Sequence, residues 1–159
     1  MTEPQLPETW QINNRVNLYL LEAIAPEHLG AKLLSKGRSV GEQFAHIHNV
    51  RLMWCNQALA PESLSKLTKI EKENAAAADK TLLRKSLNES AAAIAEILTK
   101  SVTEQGGKVK GFKPHATAFL GYLISHEAHH RSQIILALKQ SGHPLEKKIL
   151  FGIWEWGVR

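Results

Sequence analysis

The chain has little of what staples small secreted proteins together or carries a protein into a membrane. It contains one cysteine, Cys55, among 159 residues, which excludes an intrachain disulfide framework. No apolar run approaches the roughly 20 residues that a membrane-spanning helix needs. The longest, near 119–124 and 134–138, are soon interrupted by polar residues. No charged-then-apolar leader opens the chain, so a cytoplasmic protein with no membrane association is expected. A formal charge of +5 and a pI near 9.4 raise the question of a nucleic-acid partner. The basic residues are scattered, with glutamates between them and no aromatic platform beside them, which argues against one. Strand-period alternation is missing as well.

What is present is helical periodicity. The chain is long enough to bury the core of one ordinary domain without a disulfide or a structural metal, and a single domain over 1–159 is expected. Over 8–25, Trp10, Ile12, Val16, Leu20, Leu21 and Ile24 recur at helical intervals, and the run stops at Pro26, which resists helix continuation. Ser39 and Glu42 are spaced as a capping box before a second periodic stretch, 39–60, which should end before Pro61. Residues 61–78 are polar and lysine-rich and read as a long connection with one frayed helical turn. A third stripe, Leu82, Leu83, Leu87, Ala91, Ile94, Ala95 and Leu98, marks a helix from 79 or 80 to 102. "EQGGKVKGFKP" then breaks the pattern as a loop or a short extended excursion. A fourth helix over 115–141 closes at Gly142 and Pro144. Together these give an all-α four-helix bundle with a long connection between helices two and three. The tail "LEKKILFGIWEWGVR" carries Phe151, Ile153, Trp154 and Trp156, which either cover one end of the bundle or form an oligomer contact or pocket lining.

Three of the eight histidines fall in "HEAHHRSQ", residues 126–133. At about 100° per residue, His126, His129, His130 and Gln133 share one arc of the fourth helix, with His126 and His130 nearest the apolar face and His129 on the rim. Two inward imidazoles one turn apart converge on a common point and can share a divalent cation. A catalytic ion needs a third protein ligand and an open position. The second helix offers His46 and His48, between which periodicity barely chooses. Without a metal, the same histidines would be solvated or satisfied by hydrogen bonds. Glu127 and Arg131 also face inward, where they pair at i, i+4, orient a neighbour or hold a substrate anion.

These residues resemble the DinB/YfiT-like family of damage-inducible-type proteins. The resemblance runs through the histidine of "FAHIHNVRLMW", the H-x-x-x-H-R-x-Q run of "HEAHHRSQIILALKQSGHP", the asparagine-bearing first helix "INNRVNLYLLEAI", the long connection and the glycine-proline stop. Ser132 departs from the glycine common at that place in the family, a small-for-small change. The resemblance implies a four-helix fold and a histidine triad, one from the second helix and two from the fourth, that binds a divalent metal such as nickel, zinc or iron. By position the ligands would be His46, His126 and His130, so the choice of His46 over His48 rests on the family. Glu127, Arg131 and Gln133 would support them or contact substrate.

Characterised members of the family include metal-dependent thiol S-transferases that use low-molecular-weight thiols, and hydrolase-like proteins. The resemblance therefore implies a metal-dependent enzyme of one of these kinds, acting on a small molecule as a homodimer. The competing expectation is a non-catalytic, stress-associated metal-binding protein in which the ion ties helix two to helix four, closed by His48, His129 or Glu127 as fourth ligand. If His46 completes the triad, Val50, Met53 and Gln57 should flank the pocket and His48 should lie toward solvent. Metal affinity should then fall as pH drops through about 6.5, the ordinary histidine range.

Overall fold

Helix boundaries fall where the chain changes its hydrogen-bonding options. The computed structural model describes residues 5–71 and 79–159. In it α1 spans Gln5–Glu22, α2 Val40–Ala58, α3 Pro61–Leu64, α4 Lys80–Glu104, α5 Ala116–Gln140 and α6 Lys147–Gly152. The capping box closes as expected: the Ser39 hydroxyl accepts from the Glu42 N–H, and the Glu42 carboxylate accepts from the Ser39 N–H. Asp79 and His115 cap α4 and α5 with their side chains. α1 starts and ends earlier than the 8–25 stretch, because Pro26 opens a separate 3-10 turn, Pro26–His28, rather than merely stopping the helix. Pro61 likewise opens α3 at its first position, where a missing N–H costs nothing. That short helix is the turn expected in the long connection, whose residues 72–78 lie outside the described residues. "EQGGKVKGFKP" forms a hairpin, β1 Lys108–Val109 against β2 Phe112–His115, with Gly111 at φ 85° in its turn.

α4 packs against both α1 and α2, and α5 packs against the same two. Two apolar clusters fill the bundle. One gathers Leu20, Phe44, Leu87 and Ile134; the other gathers Trp10, Cys55, Ile94 and Phe119. The order of these residues along each helix shows that α1 and α5 run one way and α2 and α4 the other. The long connection lets the sequential pair α2 and α4 lie parallel. Between the clusters lies a belt of buried polar residues drawn from every long helix: Asn13, Asn14 and Asn17, Arg51, Ser90, and Glu127 with Arg131.

The tail covers the first cluster. Ile153 is buried in it, Trp156 packs on it, and Gly152 lies so close to Tyr19 that a Cβ would collide with the phenol. Phe151 and Trp154 stay exposed, at 68% and 80%. Among the described residues no helix is long and apolar enough to cross a membrane.

Candidate metal centre

Successive turns of α5 carry His126 and His130 toward the face of α2 that carries His46. The ring centroids of His46 and His130 are 4.6 Å apart, those of His126 and His130 4.5 Å, and those of His46 and His126 5.4 Å. One nitrogen from each ring lies within 4.8 Å of the other two. The Nε2 atoms of His126 and His130 are 3.1 Å apart, close to the roughly 3.3 Å separating two imidazole nitrogens on one tetrahedral ion.

Neighbouring side chains set the state of these rings. His130 Nδ1 lies 2.7 Å from Gln43 Oε1 and 3.1 Å from Gln133 Oε1. Both partners are acceptors, so Nδ1 carries the proton and donates it, which leaves the Nε2 lone pair aimed into the cluster. His126 Nδ1 is buried with no hydrogen-bond partner among the described residues. Burial lowers the pKa of His46 to about 4, helped by the charges of Arg38 and His126. Burial, then His126, His46 and His129, lowers His130 to about 4 as well. His126 is lowered chiefly by burial, against the pull of Glu127. The cluster is therefore three neutral imidazoles at neutral pH, the form a metal requires. Close uncharged nitrogens and one ring fixed by hydrogen bonds suit a divalent ion. Imidazole sets accept zinc, nickel or iron. Among the described residues no other group of three or more metal-binding side chains converges in this way.

A model of the DinB family matches residues 1–148. The chain belongs to the DinB family. No curated protein and no solved structure gives a match. In this DinB protein the two histidines of α2 have different roles, although periodicity could not separate them. His48 is 1% exposed, and its Nε2–H donates to the Thr68 carbonyl at 2.8 Å. The expectation that it lies toward solvent fails because the segment after α3 returns over α2. There Asn49 also exchanges two hydrogen bonds with the backbone of Ile70. His129 is exposed on the rim, its ring 5.1 Å from that of His130.

A cavity of about 630 Å³ opens beside His46, walled by Arg38, Glu42 and Asn49 on one side and by Lys69 and Ile70 on the other. Val50, Met53 and Gln57 do not flank it. Met53 and Gln57 are exposed, and Gln57 lies instead against Gly111 of the hairpin. The returning segment supplies the wall that a helical wheel assigned to α2.

Glu127 and Arg131 form no ion pair with each other among the described residues. Arg51 clamps Glu127, Nε donating to Oε1 at 2.6 Å and Nη2 to Oε2 at 2.9 Å, while Asn13 and Asn17 each donate to Oε2 at 2.7 Å. Arg131 donates to the Oδ1 atoms of the same two asparagines, at 3.0 and 2.7 Å. Arg51 further donates to Asn14 Oδ1, the Leu87 carbonyl and Ser90 Oγ. Burial alone would raise the Glu127 carboxyl; the Arg51 charge and the hydrogen bonds from Arg51, Asn17 and Asn13 outweigh it and hold the pKa below its ordinary value. Glu127 and Arg131 thus belong to the polar belt beneath the histidines, and Gln133 touches His130 directly. Periodicity missed Arg51 and Gln43. The signal for Arg51 was available: three asparagines on an apolar-faced helix need buried partners.

Proposed function

We propose that this DinB protein is a metal-dependent enzyme, a thiol S-transferase or a hydrolase, in which His46, His126 and His130 hold a nickel, zinc or iron ion. The cavity beside His46 carries this reading, because His46 adjoins open space and no fourth donor joins the cluster among the described residues. A closed structural site needs that donor. His48 is committed to Thr68, both Glu127 oxygens are taken by Arg51 and the asparagines, and His129 stands outside the converging group. These facts weigh against an ion that only ties α2 to α5.

A divalent ion, when bound, lowers the pKa of a coordinated water or thiol. The chain's own contribution is to keep three imidazoles neutral, to orient His130 through Gln43 and Gln133, and to leave room beside His46 for a small substrate. It supplies no thiolate of its own, since burial pushes Cys55 up to about 12, so a transferase of this kind takes its thiol from solution. A cytoplasmic homodimer completes the proposal. The single free cysteine supports the first part, and the exposed Phe151 and Trp154 support the second.

Elemental analysis of the purified protein tests the ligands. Turnover of small thiols with an electrophile, and of esters and amides, tests the reaction. One ion per chain, lost together with turnover in each of the three histidine-to-alanine variants, is expected. An ion retained in all three, or turnover indifferent to its loss, overturns the reading.

A further inference from the structure

The cavity beside His46 is lined by two cations and two carboxylates, and these four groups are not equally free. Glu42 is held in the capping box by the Ser39 N–H at 2.8 Å. Glu71 lies 3.4 Å from Lys69, so each partly neutralises the other. Arg38 has neither an ion pair nor a side-chain hydrogen bond among the described residues, yet it lines the same cavity and its charge reaches both His46 and His126. The four charges sum to zero, but Arg38 is the one of them with neither a hydrogen bond nor an ion pair among the described residues, next to the histidine that forms part of the wall.

The backbone fixes the point from which that side chain projects. Arg38 follows two consecutive left-handed residues, Lys36 at φ 66° and Gly37 at φ 96°. A lysine in that region is strained, by about 1–3 kcal/mol, and such strain persists only where the surroundings fix the chain. They do so here. Lys36 N–H donates to the Leu33 carbonyl, Leu34 N–H to Gln140 Oε1, Val40 N–H to the Ala31 carbonyl, and the buried Ser39 caps α2. The loop turns sharply and delivers Arg38 two residues before the helix, into the lining of the cavity.

We propose that Arg38 recognises the carboxylate of an anionic small-molecule substrate that enters this cavity with its reactive end toward His46. Guanidinium and carboxylate match in shape as well as charge, and a charge-assisted pair at this exposed arginine discriminates against a neutral analogue. The inference rests on the reading of the three-histidine cluster as the reactive centre, and it narrows the substrate to carboxylate-bearing molecules, including carboxylate-bearing thiols.

Full-length protein loaded with one equivalent of cobalt(II) is titrated with N-acetylcysteine, which has a carboxylate, and with N-acetylcysteamine, the same thiol without one, following sulfur-to-cobalt absorption. N-acetylcysteine should bind about tenfold more tightly. Arg38→Gln should abolish that preference while leaving the N-acetylcysteamine Kd and the cobalt stoichiometry unchanged. Lys110→Gln, a charge-matched change in the hairpin beyond the far end of α2, should leave the preference intact. A ratio near one in the unsubstituted protein, or a preference that survives Arg38→Gln, overturns the inference while the metal reading stands.

If cobalt fails to bind, the metal reading falls; if cobalt binds and the thiols do not, the metal reading stands; in either case a second arm decides on Arg38. Metal-free protein is titrated with malonate and with malonamide by NMR. Saturable shifts of the Arg38 and His46 side chains with malonate alone, lost in Arg38→Gln, sustain the carboxylate site. Their absence overturns it.

Discussion

Replacing Glu127 by glutamine preserves the shape of the side chain and removes its charge, and a loss of about 3–5 kcal/mol in stability is expected, the cost of stranding one partner of a buried pair. The carboxylate accepts from Arg51 twice and from Asn13 and Asn17 once each. A glutamine oxygen placed at Oε2 keeps three of these bonds. The amide nitrogen then faces Arg51 Nε, donor against donor across a contact that was 2.6 Å. That conflict alone costs roughly 1–3 kcal/mol. The larger cost is electrostatic, because Arg51 and Arg131, 0% and 6% exposed, are left in the belt with no counter-charge. Against a typical domain stability of about 5–15 kcal/mol the change is severe. Urea unfolding of chelator-treated protein measures it directly. With a slope of about 2 kcal/mol per molar, the midpoint should fall by about 2 M. Arg51→Met combined with Glu127→Gln should cost less than the two single changes added, since each alone strands the other. A single-variant loss below about 1 kcal/mol, or simple additivity, refutes the view of the belt as a mutually dependent charge network.

Alanine at His46, His126 or His130 should each remove the ion by elemental analysis, whereas His129→Ala should retain it. His48→Ala should also retain it and instead lower stability by about 1–3 kcal/mol through the lost Thr68 contact; ion loss in that variant would reverse the assignment on α2. His46 and His130 are held near 4 in the folded chain against about 6.5 unfolded, so on acidification the unfolded chain takes up protons first. The metal-free protein should be level in stability above pH 7 and lose it from pH 6.5 down to 4 in denaturant melts. Ion binding should correspondingly persist below the ordinary histidine range, and release centred near pH 6.5 in a metal titration counts against this. Light scattering should show a dimer for the full chain and a weaker one for a version ending at Lys148; a full-length monomer at high concentration defeats the dimer. The same truncation removes Ile153 from the first apolar cluster and should lower the thermal midpoint.

The legible parts of this fold are those governed by local rules. The capping box at Ser39 and the glycine stop at Gly142 are each decided within a few residues and appear where expected, and the 3.6-residue stripes are buried for the most part, with Leu82 and Met53 exposed instead. The pairing of His126 with His130 follows from one turn of helix. What one stripe could not reveal is what another segment lays over it. His48 sits on a face that a wheel leaves nearly undecided, and the segment around Thr68 makes it an interior residue. Glu127 and Arg131 have the spacing of an ion pair, but Arg51 and the α1 asparagines claim them, and partners 76 and 110 or more residues away in sequence are invisible to a short window. The hairpin escaped a firm assignment because its β1 strand spans only Lys108–Val109. The cavity likewise depends on Lys69 and Ile70 arriving from a lysine-rich connection with no periodic signal.

The polar belt has a consequence for how the bundle finds one arrangement among many. The two apolar clusters are made of interchangeable aliphatic surface, and sliding α5 along its neighbours by a turn would bury nearly as much of it. The belt does not permit that slide. A one-turn shift carries Arg131, or in the other direction Leu123, to the place where Glu127 meets Arg51. The first sets guanidinium against guanidinium, and the second leaves a buried cation facing a hydrocarbon. Each misaligned packing therefore carries an unpaired interior charge, worth several kcal/mol, while the native one carries a clamped pair. Because His126 immediately precedes Glu127, the lock that selects the alignment also sets the height at which the imidazoles of α5 meet His46.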